Sequence, residues 1–186
     1  MKKIIFLTAL ILFTTSTLGF AQQRRDKVWI NIGYSYLLPE SKSMKAPTGP
    51  VNFTVGGEPV KWFAIDFSLG YTWDMKIKNG EYNNPYIDEV STFNGRLNFL
   101  FQPSFDVQYF ILRPYIGGGA VININSTNEA SYIFTPGFSV KAGFRFTENG
   151  LLFGIGAEYI FNQFSRNNEF RDASGYLFGG EIGLMF

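Results

Sequence analysis

Eight charged residues interrupt stretches that are otherwise small or weakly polar: Asp66, Asp74, Glu158 and Glu181, and Arg96, Arg113, Lys141 and Arg145. Carboxylates in such surroundings can act as general acids or bases, line a path for protons or solutes, or neutralise nearby cations. The balance points to the last of these. Four acids face four bases, and charge withdrawn from water must be paired or hydrogen-bonded. Proton-transfer chemistry is further limited because the chain contains no His and no Cys. Ser-His and Cys-His arrangements are therefore ruled out, as are thiolate and imidazole metal sites. No catalytic residue, cofactor or metal ligand is expected. Gly117-Gly118-Gly119 lacks the Lys-Ser/Thr and the helix of a phosphate loop. It reads as a bend or close backbone approach within a strand.

The elements that hold these charges are legible from strict alternation, the mark of strands. Eight segments show it: Val28 to Leu38, Val51 to Gly57, Lys61 to Met75, Val90 to Gln102, Tyr109 to Asn125, Ser131 to Phe146, Leu151 to Phe164, and Tyr176 to Phe186. In the third, Phe63, Ile65, Phe67, Leu69, Tyr71 and Trp73 alternate with Ala64, Asp66, Ser68, Gly70, Thr72 and Asp74. Most segments reach the roughly 9–11 residues of a tilted membrane strand. Glycines and β-branched residues disfavour helix throughout. No stretch beyond the first twenty residues has the ~18 consecutive apolar residues of a membrane helix. A membrane-crossing form must therefore be a closed barrel, because lipid offers no partner to an open strand edge.

Connections alternate in length. Pro39 to Pro50, Lys76 to Glu89 and Ser165 to Ser174 are long and polar, and Ser126 to Ala130 falls on the same side. Glu58 to Val60, Pro103 to Gln108 and Thr147 to Gly150 are short. Membrane barrels have short turns at one end and longer loops at the other. Asn79-Gly80 and Asn149-Gly150 are turn signals.

The apolar face is expected to point outward. The alternate face is too poor in charge for a water-exposed surface, and its small residues suit the confined interior of an eight-stranded barrel. Aromatics also gather at the strand ends, with Tyr34, Tyr36, Tyr71, Trp73, Tyr159, Phe161 and Tyr176 toward one rim. Phe63, Phe99, Phe101, Phe110, Phe146 and Phe186 lie toward the other. The eight charges then lie in the lumen. Neighbouring strands offer candidate pairs, such as Arg113 with Lys141/Glu158 further round. The expected network is a structural plug; the alternative is a path for protons or solutes.

Lys2 and Lys3, the apolar run Ile4 to Leu12, and Gly19-Phe20-Ala21 read as a signal peptide over residues 1–21, cleaved before Gln22. One domain, residues 22–186, follows. Removing Lys2 and Lys3 turns the formal net charge of +1 slightly negative, which provides no basic field for nucleic acid.

The final strand places Tyr176, Phe178, Ile182, Leu184 and Phe186 on one face. It resembles the C-terminal signature that the assembly machinery of outer-membrane barrels reads. Together with the signal peptide and eight strands, it makes the chain resemble the small eight-stranded outer-membrane β-barrel family, the group of the OmpX, OmpA N-terminal and OmpW-like barrels. Leu112-Arg113-Pro114-Tyr115-Ile116-Gly117-Gly118-Gly119-Ala120 is similar to the P-Y-x-G-x-G strand frequent in that group. The resemblance implies an all-β, up-and-down, antiparallel transmembrane barrel in the outer membrane of a Gram-negative bacterium. Lipid, lipopolysaccharide and the barrel-assembly machinery are its implied partners. Similar-sized barrels that modify lipid A use a His base, which this chain lacks.

Fold alone does not fix the job. The expected function is non-enzymatic: envelope structure, or contact with an extracellular ligand or host surface through the outer loops. The alternatives are a narrow channel or small hydrophobic-solute conduit, and a soluble periplasmic ligand-binding barrel. Tyr82, Asn83, Asn84 and Tyr86 form the candidate contact loop, being residue types that suit recognition. Glu81, Asp88 and Glu89 nearby offer a weak divalent-ion signal.

Overall fold

The computed structural model describes residues 28–40, 44–45, 49–77, 88–127, 132–166 and 169–186. The 1–21 signal peptide and the contact loop Tyr82, Asn83, Asn84 and Tyr86 lie outside the described residues. Eight long strands form the wall: β1 (Val28–Pro39), β2 (Val51–Val60), β3 (Phe63–Ile77), β4 (Asp88–Phe101), β5 (Phe110–Thr127), β6 (Tyr132–Glu148), β7 (Leu151–Ile160) and β8 (Gly175–Met185). Each pairs antiparallel with its chain neighbours, and β1 pairs with β8 from Trp29↔Met185 to Pro39↔Gly175. The sheet is therefore a closed up-and-down barrel with no unpaired edge around its waist. Closure is completed where the ends meet: the Phe186 N–H donates to the Val28 carbonyl at 2.9 Å.

The alternation sorts as expected. Ile32, Tyr36, Phe99, Ile116, Ile122, Ile155 and Ile182 are exposed on the outside, while Asn31, Asp66, Arg96, Asn98 and Arg145 are buried within. An exterior ring of this composition is solvated by hydrocarbon, and a closed barrel leaves no unsatisfied backbone there. Aromatic pairs mark the rims. Tyr159 and Tyr176 lie 5.0 Å apart between centroids at one end, and Phe63 and Phe101 lie 5.9 Å apart at the other.

Most strand ends shift from the sequence reading by one or two residues, and three differences are larger. The second strand does not stop at Gly57. A bulge between Gly57 and Val60 carries it on, so Glu58 belongs to the wall and the turn is Lys61-Trp62, with Trp62 at φ 71°. The connection after β4 is not a plain turn, because Phe105–Val107 folds back as a short strand on β5. The seventh strand ends at Ile160, short of the expected Phe164. The Phe138 carbonyl on β6 accepts the Phe161 N–H at 2.9 Å. Two residues further along the same edge stands Pro136, which has no N–H to continue the ladder. The chain leaves the wall there, and Gln163–Arg166 pairs with Glu169–Asp172 as a separate hairpin.

Close approach explains the interior glycines. A Cβ on Gly56 would stand against the indole of Trp29, and one on Gly119 would meet the Leu97 carbonyl across β4–β5. Gly56→Ala is expected to lower folding stability by ~1–3 kcal/mol, the usual cost of overpacking. Urea titration of the chain refolded in lipid vesicles would show this as a lower midpoint. Gly95→Ala serves as the control, since its Cβ has only Leu69 nearby at 3.9 Å, and it should leave the midpoint unchanged.

Candidate functional site

The lumen is built in layers. Toward the end holding Val28 and Phe186, Trp29, Ala64, Leu100 and Leu152 cluster with Tyr115 and Met185 packed against them. Toward the other end, Leu37, Met75, Val90, Val121, Ile160, Ala173 and Leu177 form a second apolar cluster. Asn162 turns inward beside it. It exchanges two hydrogen bonds with Asn125 at 2.9 and 3.0 Å, and Thr92 donates to the same Asn125 at 2.7 Å. Asp66, Arg96, Lys141, Glu158 and Glu181 lie between these two clusters, Arg145 packs into the first, and Arg113 and Glu58 lie on its turn side, beside Ser104 of the β4–β5 connection.

Their pairing runs across the tube rather than along the wall. Lys141 on β6 reaches Asp66 on β3 at 2.5 Å. Arg145 on β6 donates through Nε to Glu181 on β8 at 2.6 Å and lies 3.4 Å from Asp66. Arg96 on β4 bridges to Glu158 on β7, and its other Nη donates to Asn52 at 2.5 Å. Arg113 on β5 bridges to Glu58 on β2 at 2.5 Å. Gln102 joins two of these groups, donating to Glu58 at 2.9 Å and accepting from Arg145 at 2.8 Å. Asp66 also accepts from Asn98 at 2.9 Å, and Ser139 donates to that Asn98 at 2.7 Å. Arg145 is itself layered between the rings of Trp29 and Tyr115, 4.7 Å from each centroid. This geometry adds cation–π attraction to its ion pairs.

The structure thus brings together seven of the eight charges singled out from sequence. The eighth, Asp74, sits in the β-bulge between Thr72 and Met75, and its side chain lies outside the described residues. Glu58 was missed because it was read as part of a turn. The signal was present, since Asn52, Thr54, Gly56 and Glu58 keep one parity. The partner suggested for Arg113 is also corrected. Lys141 and Glu158 stand directly opposite each other on β6 and β7, yet each sends its charge across the lumen to another strand, and Arg113 takes Glu58 instead. The barrel's narrow bore puts strands three apart within reach of two long side chains.

A cavity of about 60 Å³ remains beside this layer, lined by Asn31, Asn52, Arg96, Lys141, Glu158 and Glu181 among others. Another of about 30 Å³ lies toward the second apolar cluster. These volumes hold a few ordered waters at most. Both side-chain atoms of Asn31, the Arg96 Nε and the Glu158 Oε1 are buried with no protein partner; the first cavity is where water can satisfy them. The carboxylates of Glu58, Asp66, Glu158 and Glu181 each contact a cation, so none stands ready as a general base. Among the described residues, no group of His, Cys, Asp or Glu is placed to hold a metal ion.

No family model and no curated protein matches the sequence. Solved structures do. Neisserial surface protein A is 12% identical over 86% of this chain and 96% of its own, with a TM-score of 0.57. The outer membrane protein OprG of Pseudomonas aeruginosa is 12% identical over 86% and 95%, with a TM-score of 0.60. Escherichia coli outer membrane protein W is 13% identical over 87% and 98%, with a TM-score of 0.55. The chain has the fold of the small eight-stranded outer-membrane barrels. At this identity the likeness carries architecture alone, and the lumen network rests on this barrel's own residues.

Asp66→Ala is expected to destabilise the barrel by ~3–5 kcal/mol, because it leaves Lys141 and part of the Arg145 charge enclosed without a counter-charge. Reversible urea unfolding in vesicles would measure the loss. A change below about 1 kcal/mol would mean that the enclosed cations find water instead.

Proposed function

We propose that this chain is a non-enzymatic barrel of a Gram-negative outer membrane, with a plugged lumen and its working surface in the outer connections. The observation that carries the reading is the lumen itself. Two apolar clusters and the cross-barrel ion pairs fill it, and the free volume left beside them suits water but no larger solute. The chemistry available to such a barrel lies on its wall and its rim. The wall meets lipid and lipopolysaccharide. In this reading the connection Lys76 to Glu89 supplies Tyr82, Asn83, Asn84 and Tyr86 for contact with an extracellular ligand or host surface.

In this reading the final strand is also the feature by which the assembly machinery takes up the chain. Phe178, Ile182, Leu184 and Phe186 are all exposed on the outer face of β8, where such a factor can meet them before closure. A charge on the lipid face close to the rim costs only about 0–1 kcal/mol in the finished barrel. Phe186→Asp should therefore refold normally in vitro yet fail to accumulate as folded barrel in cells. Heat-modifiable migration on gels separates the two states. Normal insertion in cells would remove the assembly role from Phe186.

The plug is tested by planar-bilayer recording of the refolded chain. The expected result is an intact barrel with no steady current. A reproducible unitary conductance would move a narrow channel ahead of the structural reading.

A further inference from the structure

The rim at one end of the wall is not uniformly polar. At the end holding Val28 and Phe186, the apolar surface of one arc runs past the last barrel pair of β3 and β4, Phe63↔Phe101. Trp62, at the tip of the β2–β3 turn, is 48% exposed and packs edge-on against Phe101 at 6.4 Å. Its carbonyl accepts the Gln102 N–H at 2.7 Å, which ties this turn to the β4–β5 connection. That connection carries Phe105 and Val107, which stand opposite Leu112 and Phe110 on the outer face of β5. Tyr109 follows, 74% exposed. On the other arc, the β6–β7 turn of Glu148, Asn149 and Gly150 is exposed and wholly polar.

A wet rim would not expose Trp, Tyr, Phe and Val together, and contiguous exposed apolar surface marks a contact. The patch is continuous with the lipid-facing wall through Phe101 and Phe63. Its composition is that of the membrane–water interface, where Trp and Tyr place a ring in the apolar layer and a polar atom in the wet one. Lys61, with Nζ 5.2 Å from the Trp62 ring, supplies a cation at headgroup level.

We infer that the β2–β3 turn and the β4–β5 connection form a lipid-seated foot. Trp62, Phe105, Val107 and Tyr109 are embedded in the headgroup layer, so this arc of the rim sits deeper than the β6–β7 side. The inference rests on the membrane-spanning reading of the wall, and its test separates the two.

Trp73→Phe leaves Trp62 and the lumen-enclosed Trp29 as emitters, and Trp62→Phe leaves Trp73 and Trp29. Each full-length variant is refolded into phosphatidylcholine vesicles with or without acyl-chain bromines close to the headgroup. The expected result is that the Trp73→Phe protein loses most of its Trp62 emission to the bromines and little to aqueous iodide. Quenching by iodide and not by bromine in that protein would overturn the foot, provided bromine still quenches Trp73 in the Trp62→Phe protein and so shows insertion. Absence of bromine quenching in both proteins would overturn the foot together with the membrane reading.

Discussion

Charge enclosed in a tube too narrow for bulk water must be neutralised across the tube, and the rest of this structure depends on that constraint. Arg96, Arg113, Lys141 and Arg145 cannot turn outward, where hydrocarbon surrounds the wall. Nor do they reach water along the axis, since all four are buried within the tube. Each therefore meets a carboxylate on a distant strand. Breaking one partner of such a pair leaves a charge with nowhere to go, which makes the network a brace even though a buried pair as a whole contributes little net stability.

The wall is shaped to fit this filling. Trp29 and Tyr115 hold the Arg145 guanidinium between their rings. They fit only because the facing positions are glycine: Gly56 against Trp29, and Gly143 and Gly156 against the Tyr115 hydroxyl. The glycine content of the chain thus has a steric cause inside the barrel, while backbone pairing around a closed ring keeps such poor strand formers in register. At the far end the same economy of space lets Asn162 drop from the end of β7 into the lumen and pair with Asn125. The proline that ends the β6–β7 ladder is what releases it.

Period-two alternation made the architecture readable, since one face must be apolar for lipid and the other small for a narrow bore. It placed Asp66, Arg96, Lys141, Arg145, Glu158 and Glu181 inside without any coordinates. It could not say which charge meets which, because pairing across a lumen depends on stagger and side-chain reach, neither of which alternation encodes. That is why Arg113 acquired the wrong partner, while Glu58 was passed over because it was read as part of a turn. The strand ends were hardest to read. A bulge at Gly57 to Val60 and a missing N–H at Pro136 act through single hydrogen bonds, and the residues around them look equally compatible with strand or turn. The contact surface proposed for 78–87 rests on residue types alone.

The central claim is that ion pairs spanning the lumen hold opposite walls together, and a double-mutant cycle on Arg96 and Glu158 tests it most directly. These residues lie on β4 and β7 and meet only across the bore. Reversible urea unfolding in vesicles would be measured for the native chain, Arg96→Met, Glu158→Gln and the double variant. The account predicts a double variant far more stable than the two single losses would sum to, with a coupling energy of about 1.5 kcal/mol or more. Strictly additive losses would contradict it and would mean that each charge is carried by water and wall polar groups rather than by its partner across the barrel.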